Sequence, residues 1–309
     1  MNKFMIDIEA LTKNSNVHLN QERIDDIKNI EKFINENYVA EGYRPVQSGR
    51  VIVLRNTDKG RKSSAFASAL YLGKYDDMNN TDRFLKGMVR AGHSYEPIRG
   101  ETISFLYICV GKPTYDHLIT YTIRNRRVAG GLRANKPWGF VIPEEAKDKQ
   151  VYRRLMESQL ACCEALVQGA EREKDEGKRA EQLQAVRSLY PTGVIVPPFM
   201  LDFSEEALAK HIFKQRIWEK GAQGETVEIV QDMYDALYQL DPEKWSCIKE
   251  YHGPHIVSHN RAMQKLREQR PKLGQLLKQI KNDQTDVYDL DVYELLMTTV
   301  GRLPKTMWE

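Results

Sequence analysis

The sequence predicts an α+β fold in which a central sheet is flanked by long helices. Three observations lead there. Short runs rich in β-branched and aromatic residues occur at 51–54, 102–110 and 194–196. Long stretches with helical periodicity, above all 151–186 and 225–240, separate and follow them. Neither an internal repeat nor a low-complexity segment competes with this reading.

Taken in order, Ile24, Ile27, Ile30, Phe33, Ile34 and Tyr38 recur at helical spacing and predict an amphipathic helix. Residues 51–54, Val-Ile-Val-Leu, read as a short buried strand. Residues 63–71 are small and apolar enough for a packed helix, and 83–90 form another. The next strand, 102–110, ends at Gly111-Lys112-Pro113, residues that break a ladder. From 151 to 170 a long helix is expected, with Tyr152, Leu155, Gln159, Cys163, Leu166 and Ala170 on its buried stripe. The charged residues 171–181 are either a solvated part of that helix or a break before a second one running to Val186.

Thr192-Gly193 and Pro197-Pro198 interrupt the helices, leaving 194–196 as a strand or an extended connector. At 202–206 a helix starts, with Ser204 as N-cap and acidic residues at its positive end. It carries Leu208, His211, Ile212 and Arg216 before Gly221. Another helix occupies 225–240 and stops at Asp241-Pro242. Past Gly253-Pro254 two further helices are expected, split by Pro271 and by 283–288.

Composition excludes several classes. The 46 basic residues of the 309-residue chain are nearly matched by 43 acidic ones, and a net charge of +3 gives no case for a nucleic-acid partner. Four cysteines, two of them adjacent at Cys162-Cys163, have neither metal-finger spacing nor a disulfide framework. They read as core thiols in a reducing, cytoplasmic setting. No run is long and apolar enough for a membrane span. His252, His255 and His259 invite a metal, but Gly253-Pro254 breaks the helical geometry between the first two and no Cys or carboxylate stands at ligand spacing, so no metal is expected. The basic stretch 261–281 reads as a solvated helix face.

The richest segment is 116–134, which places Arg124, Arg126, Arg127 and Arg133 beside Gly130-Gly131. Guanidinium groups grip phosphate oxygens and glycines let the backbone come close, so the segment predicts a polyanion, phosphate first, held at a helix end. A solvated or salt-bridged face is the competing reading. Further on come Val186-Arg187 with Pro191, then Arg216, then Ala222-Gln223-Gly224-Glu225. In order and spacing this series resembles the flavin-dependent thymidylate synthases. That family carries an Arg-His-Arg motif ending in Ser-x-Arg-Tyr, an Ala-Arg-x-x-Leu-Pro helix end, and a Leu-Arg before an Ala-Gln-x-Glu helix. Arg124-Asn125-Arg126 is similar to the first, Gly131-Leu132-Arg133-Ala134 to a degenerate second, and the remaining residues to the others. Gly92-His93, followed by Ile103-Ser104-Phe105-Leu106, is similar to the opening of the family's core.

The resemblance covers 65–255 and implies a mainly antiparallel central sheet. It implies a core over 61–255, an N-terminal extension over 1–60 and a C-terminal helical extension over 256–309. It also implies FAD as cofactor, NADPH and methylenetetrahydrofolate as co-substrates, a pyrimidine nucleoside monophosphate as substrate, and a homotetramer. Site roles follow position by position. His93, Arg124, Asn125, Arg126, His211, Gln223 and Glu225 would meet the flavin. Gly131, Arg133 and Arg187 would hold the nucleotide, the two arginines at its phosphate, and Arg216 would approach the pyrimidine and polarise it. No enzymic thiol is needed, so Cys109 and Cys247 read as buried small hydrophobes. For Glu225 and His93, a helix-start residue and a satisfied turn histidine are equal alternatives.

Three departures bear on specificity. Asn125 stands where the family has His, Gly131 where it has Ser, and Ala134 where it has Tyr, in a loop that is shortened. Asn donates and accepts but does not protonate. A lost hydroxyl beside the nucleotide points to a substrate other than dUMP; ordinary thymidylate synthesis and a non-catalytic nucleotide-binding or assembly protein are the alternatives.

Overall fold

The protein was studied as a computed structural model, which describes residues 3–13, 16–90, 95–120, 132, 136–218 and 224–250, and the backbone alone at 125–129. In chain order the elements are α1 (Ile8–Thr12), β1 (Val17–Leu19), α2 (Arg23–Ile34, extended by a π-helical turn over Asn35–Val39), β2 (Val46–Ser48), β3 (Val51–Asn56) and α3 (Lys62–Leu72). A π-helical stretch, Phe84–Val89, precedes β4 (Thr102–Tyr107), α4 (Lys112–Ile119), β5 (Asn125–Ala129) and β6 (Gly139–Val141). Then come α5 (Lys149–Glu171), α6 (Glu176–Arg187), β7 (Val194–Ile195) and β8 (Phe199–Ser204). The chain continues through α7 (Glu205–Ala207), π-helical turns at Leu208–Ile212 and Lys214–Trp218, and α8 (Glu225–Leu240).

The α+β class is as expected, with two antiparallel sheets. The larger has the order β2-β3-β4-β8-β5 and the smaller β1-β6-β7. Side-chain alternation sends Val51, Val53, Ile103, Phe105, Tyr107, Phe199, Leu201 and Phe203 to one face, where α8 and the π-helical turns cover them. The intervening Ile52, Leu106 and Ile108 go to the other face, against α2 and the small sheet. Both faces are therefore buried at β3 and β4, which explains why the sequence there is almost continuously apolar. Strands β2 and β3 lie before residue 60 and belong to this sheet, so the segment expected as an N-terminal extension shares its core.

Gly139 lets two strands of the small sheet pair closely. Its φ is +143°, and a Cβ there would sit 1.9 Å from the carbonyl oxygen of His18 on the paired strand. Only glycine allows that approach.

Several expectations are corrected. On α5 the buried residues are Met156, Cys163, Val167 and Ala170, whereas Leu155 and Leu166 are exposed. The helix is apolar on two sides, and contacts of Met156 with Phe140, Ile142 and Val194, and of Cys163 and Val167 with Val186, choose the side. Residues 171–181 do contain a break, and Asp175 caps the second helix by accepting the Lys178 amide. The Ser204 cap is as expected: its hydroxyl accepts the Ala207 amide and the helix begins at Glu205, Asp202 and Phe203 being the end of β8. The strand expected to reach 110 ends at Tyr107, and Cys109 adopts a φ of +62°. The helix over 225–240 stops at Asp241 as expected, and the Asp241 carboxylate then accepts the Lys244 amide at the start of a further helix over 242–250. Cys109, Cys163 and Cys247 are buried, but Cys162 is exposed. Among the described residues no helix is long and apolar enough to cross a membrane. The histidine run, the basic stretch and the expected C-terminal helices lie outside the described residues.

Candidate active site

The arginine-rich segment is placed by β5, the edge strand of the large sheet. This differs from the expected helix end. The segment follows the C-terminus of α4, an end whose dipole repels anions, so that helix offers an anion no attraction. In the ladder Asn125 is the partner of Phe203, Arg126 of Asp202 and Val128 of Met200. The pairing ties the motif to β8, which runs directly into the helical segment carrying His211 and Arg216.

Beside β8 a groove of about 710 Å³ opens between the sheet and α2. Its apolar wall is Leu54, Leu106, Trp138 and Met200, and its rim carries Arg23, Asp26 and Asn29. The Arg23 guanidinium stands 5.7 Å over the Trp138 ring, and its Nε is buried with no hydrogen-bond partner. An apolar slot with a few convergent polar groups is the usual form of a small-molecule site. The next row across the sheet is polar: Arg55, Ser104 and Asp202 are register partners on β3, β4 and β8. Asp202 lies 4.0 Å from the Arg55 guanidinium, and Arg126 is its partner on the other side.

His211 is exposed and Arg216 half-buried, each on a π-helical turn. Arg187 ends α6, on the separate α5–α6 hairpin, where its guanidinium donates to Gln184 at 3.5 Å. His93, Arg124, Gly131, Arg133 and Gln223 lie outside the described residues.

Glu225 has an internal task. Its carboxylate accepts hydrogen bonds from Arg50 Nη1 at 2.5 Å, the Gly111 amide at 2.9 Å and the Thr114 hydroxyl at 3.0 Å. Its described contacts therefore knit α8 to the ends of β3 and β4 and the start of α4. Arg50 also pairs with Glu228 at 2.8 Å, donates to the Cys109 carbonyl at 3.3 Å, and gives its backbone amide to Asp232 at 3.0 Å. Burial nonetheless pushes the Asp232 carboxyl up to about 6, and the Cys109 thiol up to about 12, which keeps that thiol out of nucleophilic chemistry.

A second buried network went unforeseen. Lys244 is enclosed with Asp58 and Glu205, each carboxylate 2.5 Å from its ammonium. Asp58 also accepts the Ser64 amide, and its carboxyl is lowered by the ammonium against the opposing effect of burial. Burial raises Glu205 to about 7. Proton sharing is the physical response to two carboxylates and one cation in a dry site.

No family model and no curated protein matches the chain. Similar solved structures include a UMP/dUMP methylase, PolB from Streptomyces cacaoi, bound with 5-Br dUMP, at 15% identity over 65% of this chain and 95% of that one, with a TM-score of 0.48. The same methylase bound with 5-Br UMP gives 13% identity, 65% and 94% coverage, and a TM-score of 0.49.

Proposed function

We propose that this chain binds FAD and a pyrimidine nucleoside monophosphate and adds a one-carbon unit at C5 of the pyrimidine. The observation that carries this reading is the course of β5. The segment resembling the flavin-dependent thymidylate synthases is hydrogen-bonded along β8, and β8 leads without a loop into the helix of Arg216. The first motif piece is thereby paired with the strand that feeds the helical segment carrying the second. The groove supports it further, because a slot with an aromatic wall and a guanidinium with an unused N–H fits a flat, electron-poor heterocycle.

In this reading Asn125 and Arg126 orient the flavin and nucleotide, with His93, Arg124, His211 and Gln223 completing the cofactor's surroundings. Arg133 and Arg187 hold the nucleotide phosphate by charge-assisted hydrogen bonds, with Gly131 leaving room beside it. Arg216 donates to the pyrimidine carbonyl as negative charge grows on the ring, and this lowers the barrier most where water is excluded. FAD, reduced by NADPH, supplies the hydride that completes the methyl group, and methylenetetrahydrofolate supplies the carbon. Asn125 holds its partners without gaining a proton, so the chain's own contribution is positioning and fixed charge. Glu225 is not in the set, its oxygens being engaged by Arg50, Gly111 and Thr114. Arg187, on its separate hairpin, suits a site completed across subunits of a homotetramer.

The test is flavin uptake followed by nucleotide-dependent oxidation of the reduced flavin, with methylenetetrahydrofolate and a panel of UMP, dUMP and dCMP. Stoichiometric FAD and faster oxidation with UMP than with dUMP are expected. Protein that takes up no FAD from excess would end the reading, whereas efficient turnover of dUMP alone would return it to ordinary thymidylate synthesis.

A further inference from the structure

At the opposite edge of the large sheet from β5, the end of β3 meets the loop at 42–45 and the turn at 58–60 around a pocket of about 200 Å³. A groove of about 620 Å³ continues from it past Lys3 and shares Gly42, Tyr43 and Arg44 as a common wall. We propose that this pocket is a second anion site, which takes the phosphate group of a small phosphorylated ligand distinct from the nucleotide at β5.

The charges argue for it. Lys3, Arg44, Arg55 and Lys59 line the two cavities. Asp58 and Asp241 are in the same lining but are already engaged, Asp58 by Lys244 and Asp241 by Arg61 at 3.1 Å. No ion pair to Lys3, Arg44 or Lys59 is formed among the described residues, and Arg55 reaches Asp202 only at 4.0 Å while its Nε stays buried and unpartnered. Like charges gathered without counter-charges repel one another, and a dianion entering between them relieves that repulsion. The pocket also has a defined wall: the Lys59 ammonium lies 3.8 Å from the centre of the Tyr43 ring, which holds one cation in place before any ligand arrives. Gly42 and Gly60, at φ of +81° and +62°, turn the two loops toward each other, and neither position has a neighbour that a Cβ would meet.

The experiment is calorimetric titration of the full chain with inorganic pyrophosphate and, separately, inorganic phosphate and ribose 5-phosphate, at constant ionic strength set with chloride. A saturable binding event is expected for the wild type, weakened about tenfold or more in Arg44→Ala/Lys59→Ala and unchanged in Lys178→Ala, an exposed lysine of α6 that lines neither cavity. Both substituted pocket residues are exposed, so the fold is retained, and a circular-dichroism melt confirms it. Absence of binding in the wild type, equal affinity in the double variant, or an equal loss in Lys178→Ala would overturn the proposal. Among the three anions, the tightest separates a free phosphate from a sugar-linked one. The readout does not involve flavin, so it stands or falls apart from the proposed function.

Discussion

Two lysines meet the turn at residues 58–60 from opposite sides. Lys244 arrives from within, fully buried, and is clasped by Asp58 and Glu205. Lys59, the next residue along from Asp58, projects outward over Tyr43 with no acidic partner among the described residues. The same side-chain type is a strut in one place and an available charge in the other. What separates the two roles is whether carboxylates have already answered the charge where it is dry. Arg50, locked to Glu225 and Glu228, belongs with Lys244; Arg44 belongs with Lys59.

The contrast breaks first at Lys244. Lys244→Met should lower the free energy of unfolding by about 3–5 kcal/mol, because it strands two buried carboxylates. A shift of the urea midpoint at constant slope would measure it. Arg50→Met should cost somewhat less, about 2–4 kcal/mol, since Glu228 is half-exposed and can turn to water while Glu225 cannot.

Next in size is a pH effect. A carboxyl whose folded pKa is raised holds a proton that the unfolded chain has released, so stability falls as pH rises from the unfolded value to the folded one. For Glu205 that window runs from 4.5 to about 7, and for Asp232 from 3.8 to about 6. Between pH 6 and 7 the decline therefore belongs to Glu205, at no more than about 1.4 kcal/mol per pH unit. Denaturant melts of Glu205→Gln should lack this downward slope across that interval, which the wild type shows. At the small end, Lys59→Ala should leave stability within about 0.5 kcal/mol of the wild type, which thermal melts can check. A large loss there would mean that the outer lysine is also a strut and would dissolve the comparison.

Legibility in the sequence follows the range of the cause. Ser204 as cap, the helix over 225–240 and the strands at 51–54 and 102–107 were readable because hydrophobic period and capping act within a few residues. The choice of face on α5 was not, since Val151, Leu155, Met156 and Val167 offer two apolar sides and only partners elsewhere in the chain select one. The Arg50 network joins residues 175 positions apart, and Lys244 reaches Asp58 across 186, so no local pattern announces either. Of the site, the order of the arginines was visible; that Asn125 and Arg126 stand on an edge strand beside β8 was not. Four residues of one charge around a glycine pair look alike on a strand and at a helix end.

The wide turns after Ser204 carry a consequence for how this chain tolerates change in length. In an ordinary α-helix residues four apart stack, but a π turn closes its ladder five residues on. His211 and Arg216 are five apart, and the turns at Leu208–Ile212 and Lys214–Trp218 bring that spacing toward a single side of the helix. Deleting one residue here would let the helix relax to its commoner pitch while swinging everything beyond it, Arg216 included, around the axis by about 100°. The segment can therefore accept exchanges of side chain far more readily than the loss of a single position.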